Sequence, residues 1–145
     1  MTSDGISSED WDRVHELAVD LVNAPDDENE AVRERLFECL RGLILKYGEL
    51  PSIVATQADY VDDPLESERL FLRASDLAQS RGDRSNIREI SLSLAGLYAG
   101  DLRRPADASR WLEIASAYIA PDSEMDRSEY QHIAEAIARL KGDQE

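Results

Sequence analysis

Apolar residues recur at three- and four-residue intervals along almost the whole chain, the spacing that gathers side chains onto one face of a helix. The first stripe is Trp11, Val14, Leu17, Ala18, Leu21 and Val22. Ser7 or Ser8 stands ahead of it as a hydroxyl able to satisfy free first-turn amides, and Glu9, Asp10 and Asp12 suit the positive end of the helix dipole. Asn23-Ala24-Pro25 breaks the pattern. Asp26 or Asp27 can then cap a second helix that turns Ala31, Leu36, Phe37, Leu40, Leu43, Ile44 and Tyr47 inward, ended by Gly48 with Pro51 soon after.

A third helix is expected from Pro51, with Ile53, Val54, Ala55, Ala58 and Val61 apolar, up to the Asp62-Asp63-Pro64 turn. Pro64 suits a first helical turn. The fourth helix runs to about Arg81 on Leu65, Leu70, Phe71, Ala74, Leu77 and Ala78, with Gly82-Asp83 as cap and turn. The fifth bears Ile87, Ile90, Leu94, Ala95, Leu97 and Tyr98, and Gly100 to Arg104 is a loop. Pro105 opens a sixth helix with Ala108, Trp111, Leu112, Ala115 and Tyr118. After Pro121-Asp122 a seventh carries Tyr130, Ile133, Ala134, Ile137 and Leu140. No segment sustains strand alternation. The pattern predicts an all-α fold of about seven helices in antiparallel hairpins.

Two stretches, 51–82 and 91–118, look alike once Ala55 is set against Ala95, Ala58 against Tyr98, Phe71 against Leu112, and Ala74 against Ala115, offsets of 40 and 41. A near-constant period of helix-turn-helix units marks a helical repeat, in which each hairpin needs its neighbour to bury its apolar face. The sequence then divides into a helical pair at 1–48, two hairpins at 49–120 and a C-terminal helix and tail at 121–145, within one folding unit. Ser93-Leu94-Ala95-Gly96-Leu97-Tyr98, followed by Pro105-Ala106-Asp107-Ala108 and Trp111-Leu112-Glu113-Ile114-Ala115, resembles tetratricopeptide repeats over about two thirds of the chain. It departs from that family in its period, about 40 residues against 34, and lacks the closing proline near Gln79. The resemblance implies a right-handed stack with a C-terminal capping helix, and a concave face lined by the first helix of each hairpin. The outward residues it implies are Glu49, Ser52, Thr56, Asp59 and Tyr60 in one repeat and Glu89, Leu92 and Gly96 in the next. Tyr60, an aromatic beside Asp59 and Asp62, suits a protein contact.

Charge changes this picture from a scaffold to a scaffold with a preferred kind of partner. The 145 residues carry 31 acidic and 16 basic side chains, a formal charge of -15. Such a field disfavours nucleic acid and anionic membranes and attracts a basic protein surface. Residues 1–38 alone hold 12 Asp and Glu against 3 Arg. The run Asp26 to Glu38, with Asp27, Glu28, Glu30 and Glu34, is therefore a second candidate surface, set against the ordinary reading of a solvated helix face. The shortness, the acidity and the segment Tyr47 to Thr56 also look like small bacterial immunity proteins, which neutralise a cognate toxin.

The chemistry-bearing residues form no catalytic pattern. His15 and His132 are far apart on charged helices without a partner at metal-ligand spacing. Asp122, Glu124 and Asp126 imitate the start of a calcium loop, but Arg127 stands where that loop needs Gly. Asp59, Asp62 and Asp63 could hold a hard cation, although carboxylates before Pro64 ordinarily form a capping turn. The seven glycines make no phosphate cradle. Cys39, the single cysteine, lies between apolar neighbours as a packed thiol does, without an activating base. Trp11 and Trp111 sit on apolar stripes, where packing is the default. No apolar run approaches a membrane span, and Met1 to Asp12 are acidic where an export leader is basic and apolar, so a reducing cytoplasm is expected.

These observations favour a non-catalytic, cofactor-free protein-binding module, an inhibitor of the immunity type that covers a basic toxin such as a nuclease. The alternatives are an adaptor that holds a peptide segment of a larger assembly, and a metal or enzymatic role at Asp59 to Asp63.

Overall fold

Ser7 opens the first helix as a hydroxyl cap, its Oγ accepting from the amide of Asp10 at 3.2 Å. In this computed structural model, which describes residues 1–144, seven helices follow one another and no strand occurs among the described residues. They are α1 Ser8–Asn23, α2 Asn29–Tyr47, α3 Pro51–Tyr60, α4 Pro64–Arg81, α5 Arg84–Ala99, α6 Pro105–Ser116 and α7 Glu124–Gln144. Three of them carry proline in the first turn, where a missing amide costs no intrahelical bond. Asp63 caps α4 through the amide of Leu65, and Gly82 ends it with φ 63°, a left-handed geometry that favours glycine. The start of α2 differs from expectation. Asp26 and Asp27 lie in the turn, Glu28 takes the capping position without a side-chain bond, and Asn29 instead ties the turn by donating to the Leu21 carbonyl at 3.3 Å.

Antiparallel hairpins pack in chain order: α1 on α2, α3 on α4 and α5 on α6, with α5 also against α3 and α4, and α7 closing over α5 and α6. The core has two parts. One, between α1, α2 and the start of α3, gathers Ile6, Val14, Leu17, Leu36, Leu40 and Ile53. The other fills the later hairpins with Ala74, Ala78, Ile90, Leu94, Ala95, Ala108, Trp111, Leu112, Ala115 and Ile137. Adjacent residues of α3 serve both, Ile53 one and Val54 the other, so this short helix joins the N-terminal pair to the rest. Alanines at 74, 95 and 115 are fully buried, and their small side chains let the backbones approach.

The repeat has two offsets. Asn86 on α5 lies beside Ser52 on α3, Nδ2 to Oγ 3.2 Å, so these helices start level at an offset of 34. α5 has 16 residues against 10 in α3 and outruns it, which pushes the opening prolines of α4 and α6, Pro64 and Pro105, to an offset of 41. The period near 40 describes the second helices and the far end of the first, while side-by-side neighbours on α3 and α5 follow 34. The paired positions of α4 and α6, Phe71 with Leu112 and Ala74 with Ala115, are all buried.

A few apolar residues expected inside are outside. Val22 is 77% exposed because it lies about 100° around the helix from Leu21, which α1 does bury. Leu65 is 62% exposed, since α4 turns Ser67 inward instead, where its hydroxyl donates to the Ala58 carbonyl at 2.8 Å. Ala31 is exposed for the same geometric reason beside buried Val32. No helix among the described residues is long and apolar enough to cross a membrane.

Candidate functional site

The level starts of α3 and α5, with the first turn of α1, bound a groove of about 450 Å³. Trp11, Ala55, Phe71 and Ile90 give it apolar lining, and Ser8, Ser52, Thr56, Ser85 and Ser93 give hydroxyls. Its charged side chains are Asp12, Asp59 and Glu89, one carboxylate from each of α1, α3 and α5, and Met1, whose terminal ammonium donates to Ser8 Oγ at 2.6 Å, lines it as well. A second hollow of about 340 Å³ shares Asp59, Phe71 and Ser93 with it and adds Asp62 and Asp101. Neither hollow has a lysine or arginine among its lining residues.

Residues 2–6 close one end. Asp4 is only 5% exposed, and its Oδ2 accepts from the amide of Ser52 at 2.8 Å, which gives α3 the capping carboxylate that Leu50 cannot supply. Asn86, 5% exposed, sits between this carboxylate and that of Asp83: its Nδ2 is 2.7 Å from Asp83 Oδ2 and 3.4 Å from Asp4 Oδ2. Ser3 Oγ donates to Asp83 Oδ2 at 3.1 Å. Burying Ile6 completely anchors the segment. One short stretch thus caps α3, bridges to α5 and fixes the groove's end by groups whose hydrogen bonds are met within it.

The acid in the groove is electrostatically uncomfortable. Asp59 still reaches solvent, but it is recessed among the walls. Lost hydration, then the negative charges of Glu89 and Glu129, push its carboxyl from the usual 3.8 up to about 6. Glu89 is raised by the same burial, which Arg88 opposes and Asp126, Asp83 and Glu129 reinforce. Glu129 on α7 is raised by burial and by Asp126. Asp59 and Glu89 therefore repel one another across the groove, with Glu129 of α7 adding to the negative field from outside its lining. Arg88, 3.7 Å from Glu89, offsets only part of it, and a cation relieves the rest.

The residues singled out in the sequence fall on different surfaces. Ser52, Thr56, Asp59 and Glu89 line the groove together. Tyr60 does not: it packs against the N-terminal core, one position further around α3, where burial and the Asp59 charge raise its phenol. Leu92, expected to face outward, is 2% exposed, because α5 is flanked by α3, α4, α6 and α7 and has only a narrow free face. Glu49 lies outside the groove, in a separate hollow with Phe37 and Arg73, and its carboxylate accepts from Arg73 at 2.7 Å. Asp26, Asp27, Glu28, Glu30 and Glu34 are exposed on the α1–α2 turn and α2, and line neither hollow. Gly96 lines the second hollow.

The Asp59 to Asp63 carboxylates are parted. Asp62 pairs with Arg33 at 2.9 Å, Asp63 caps α4, and among the described residues no group of three His, Cys, Asp or Glu is placed to hold a metal ion. Asp126 pairs with Arg88 at 3.1 Å. His15 and His132 are exposed, and Cys39 is half-buried with its thiol raised by burial.

Sequence reasoning gave Trp11 to packing and Asp12 to the helix dipole, and assigned no site role to Asn86 or Ser93, all four of which line the groove. The signal for two of them was an offset of 34, which aligns Ser52, Ala55, Thr56 and Asp59 with Asn86, Glu89, Ile90 and Ser93. No family model, curated protein or solved structure matches the chain.

Proposed function

We propose that this protein is a non-catalytic binding module whose groove receives a basic segment of a partner protein. The observation that supports it is the lining: Asp12, Asp59 and Glu89, continued through Asp62 and Asp101, with no lysine or arginine among the lining residues. Clustering like charges in a recess is unfavourable for the free protein, and a bound guanidinium or ammonium turns that repulsion into attraction. The half-buried hydroxyls of Ser52, Thr56 and Ser93 line the groove as hydrogen-bonding groups for a peptide backbone, and Trp11 and Phe71 offer apolar contact beside them.

Within this class we favour an inhibitor of the immunity type that covers a basic toxin domain, in the manner of the small immunity proteins the sequence resembles. A nuclease holds phosphates with basic side chains, and an acidic inhibitor gains both fast steering and occupancy of the same surface. The adaptor reading uses the groove alone, whereas an inhibitor of a whole basic domain also draws on the exposed acid of Asp26 to Glu34. Affinity recovery from the source cells, followed by association kinetics over a range of salt, separates them. An inhibitor recovers a basic protein whose association rate falls steeply with salt and whose stable binding is lost in Asp59→Asn/Glu89→Gln. Recovery of only neutral or acidic partners would overturn the reading.

A further inference from the structure

One helix at the end of the stack has a face that the fold leaves without a neighbour. α1 packs on α2 and buries Val14, Leu17 and Leu21. An adjoining set, Trp11, His15, Val19 and Val22, falls within about 80° of arc at 100° per residue; Trp11 is half-buried against the N-terminal core, and the other three are exposed. Val19 is 58% exposed and Val22 77% exposed. Terminal helices of stacked hairpins ordinarily turn a polar face outward to stay soluble, and these two valines do the opposite. The next arc of the same helix is Asp12, Glu16 and Asp20, which with His15 and Val19 line a shallow hollow of about 470 Å³. An apolar stripe thus runs alongside an acidic one. The stripe begins at Trp11, which also lines the groove, and Asp12 lines both hollows.

We propose that α1 carries a contact surface, continuous with the groove at Trp11, for an amphipathic helix of a partner protein bearing Lys or Arg along one edge of its apolar face. Val19 and Val22 take the apolar side, and Asp12, Glu16 and Asp20 take the basic edge. Glu16 is already bridged to Arg13 at 3.2 Å, which leaves Asp12 and Asp20 as the carboxylates that make no ion pair among the described residues. A second copy of the chain is disfavoured as the occupant, since it would bring its own acidic edge and 12 acidic residues in its first 38 against this one. The inference rests on the groove reading for the direction in which the partner's chain runs, and on α1 alone for its contact.

The test uses the full chain and two synthetic leucine–lysine peptides of one composition, one patterned as an amphipathic helix and one scrambled. Methyl NMR reads the site and calorimetry the affinity. The patterned peptide is expected to shift the methyls of Val19 and Val22 and to bind more tightly than the scrambled one. Val19→Gln/Val22→Gln, which keeps helix propensity, weakens it by about tenfold or more, while Val19→Leu/Val22→Leu retains it. Equal binding of both peptides, or no loss in the glutamine variant, would overturn the proposal by leaving charge alone as the cause. Sedimentation of the free protein as a dimer that the glutamine variant dissociates would also overturn it, in favour of a second copy. Asp59→Asn/Glu89→Gln reports on the groove separately: if it changes nothing while the valine variants do, the groove reading fails and the α1 surface stands.

Discussion

Two acidic regions of this molecule differ in how their charge is held. The α1–α2 turn and the outer face of α2 present Asp26, Asp27, Glu28, Glu30 and Glu34 to water, where they keep their hydration, Glu34 pairs with Arg41 at 3.0 Å, and salt screens their field beyond about 8 Å. The groove holds fewer carboxylates, but those of Asp59 and Glu89 are raised by lost hydration and by neighbouring negative charge, that of Glu129 included. Counting charges ranks the first region higher. Considering what each charge loses in the free protein ranks the second higher, because only there does a bound cation remove an existing penalty. The first region suits steering and the second suits holding.

Reversing the groove charge tests the comparison hardest. Asp59→Lys/Glu89→Lys is expected to weaken binding of an oligolysine peptide by about 100-fold or more, because two like charges then meet the peptide in a recess. Calorimetry at fixed salt measures it. An unchanged affinity would show that the peptide binds elsewhere. The smaller counterpart is Asp26→Asn/Asp27→Asn/Glu30→Gln/Glu34→Gln, whose exposed charges act at a distance. This variant should slow association by about three- to tenfold at low salt, flatten the salt dependence and leave the dissociation rate unaltered. Stopped-flow kinetics checks both rates, and a change confined to dissociation would reverse the roles assigned to the two regions.

The helices were legible in the sequence because each carries its own boundary chemistry: Ser7, Asp63 and Asp83 cap amides, and Pro51, Pro64 and Pro105 open first turns. The groove was legible only in part. Ser52, Thr56, Asp59 and Glu89 were among the outward positions implied by the resemblance to helical repeats, and they do line the groove together. Leu92 and Tyr60, implied with them, do not, because burial on α5 depends on four neighbouring helices and burial of Tyr60 on the N-terminal core, and neither is a local property. Asp4 and Asn86 stayed hidden for a related reason. Their partners are 48 and 82 residues away, and no periodicity encodes a contact between a chain's start and its middle.

The groove's acid also sets stability against binding. The Asp59 carboxyl, at about 6 in the folded protein against its usual 3.8, binds a proton more readily when folded. Its contribution to stability is therefore greatest at low pH and is lost as pH rises through that interval, so the ionised group is a cost above about pH 6. The whole shift corresponds to roughly 3 kcal/mol, and solvent reaching the open groove screens it to about 1 kcal/mol. Asp59→Asn should then raise Tm by about 3 °C near pH 7.5 and leave it unchanged near pH 3.5. Binding of a basic peptide runs the other way, weakening as pH falls through about 6 because the cation requires the charged carboxylate. A thermal-melt series across pH decides the first statement, and a rise in Tm that persisted at acid pH would remove charge as its cause.

The smallest expected effect belongs to Glu49, which lies among acid and base outside the groove. Its carboxylate meets Arg73 at 2.7 Å, with about half of each side chain exposed, 49% and 52%. Water solvates both partners when the pair opens, and holding two long side chains together costs entropy. Glu49→Gln should therefore lower stability by less than about 0.5 kcal/mol and leave oligolysine affinity within twofold of the parent, about 0.4 kcal/mol. Chemical denaturation and calorimetry on the same preparation check the two halves. A tenfold loss of affinity would place a binding contribution on the Arg73 side of α3 and break the division between groove acid and outer acid, because Glu49 would then act strongly from outside the groove.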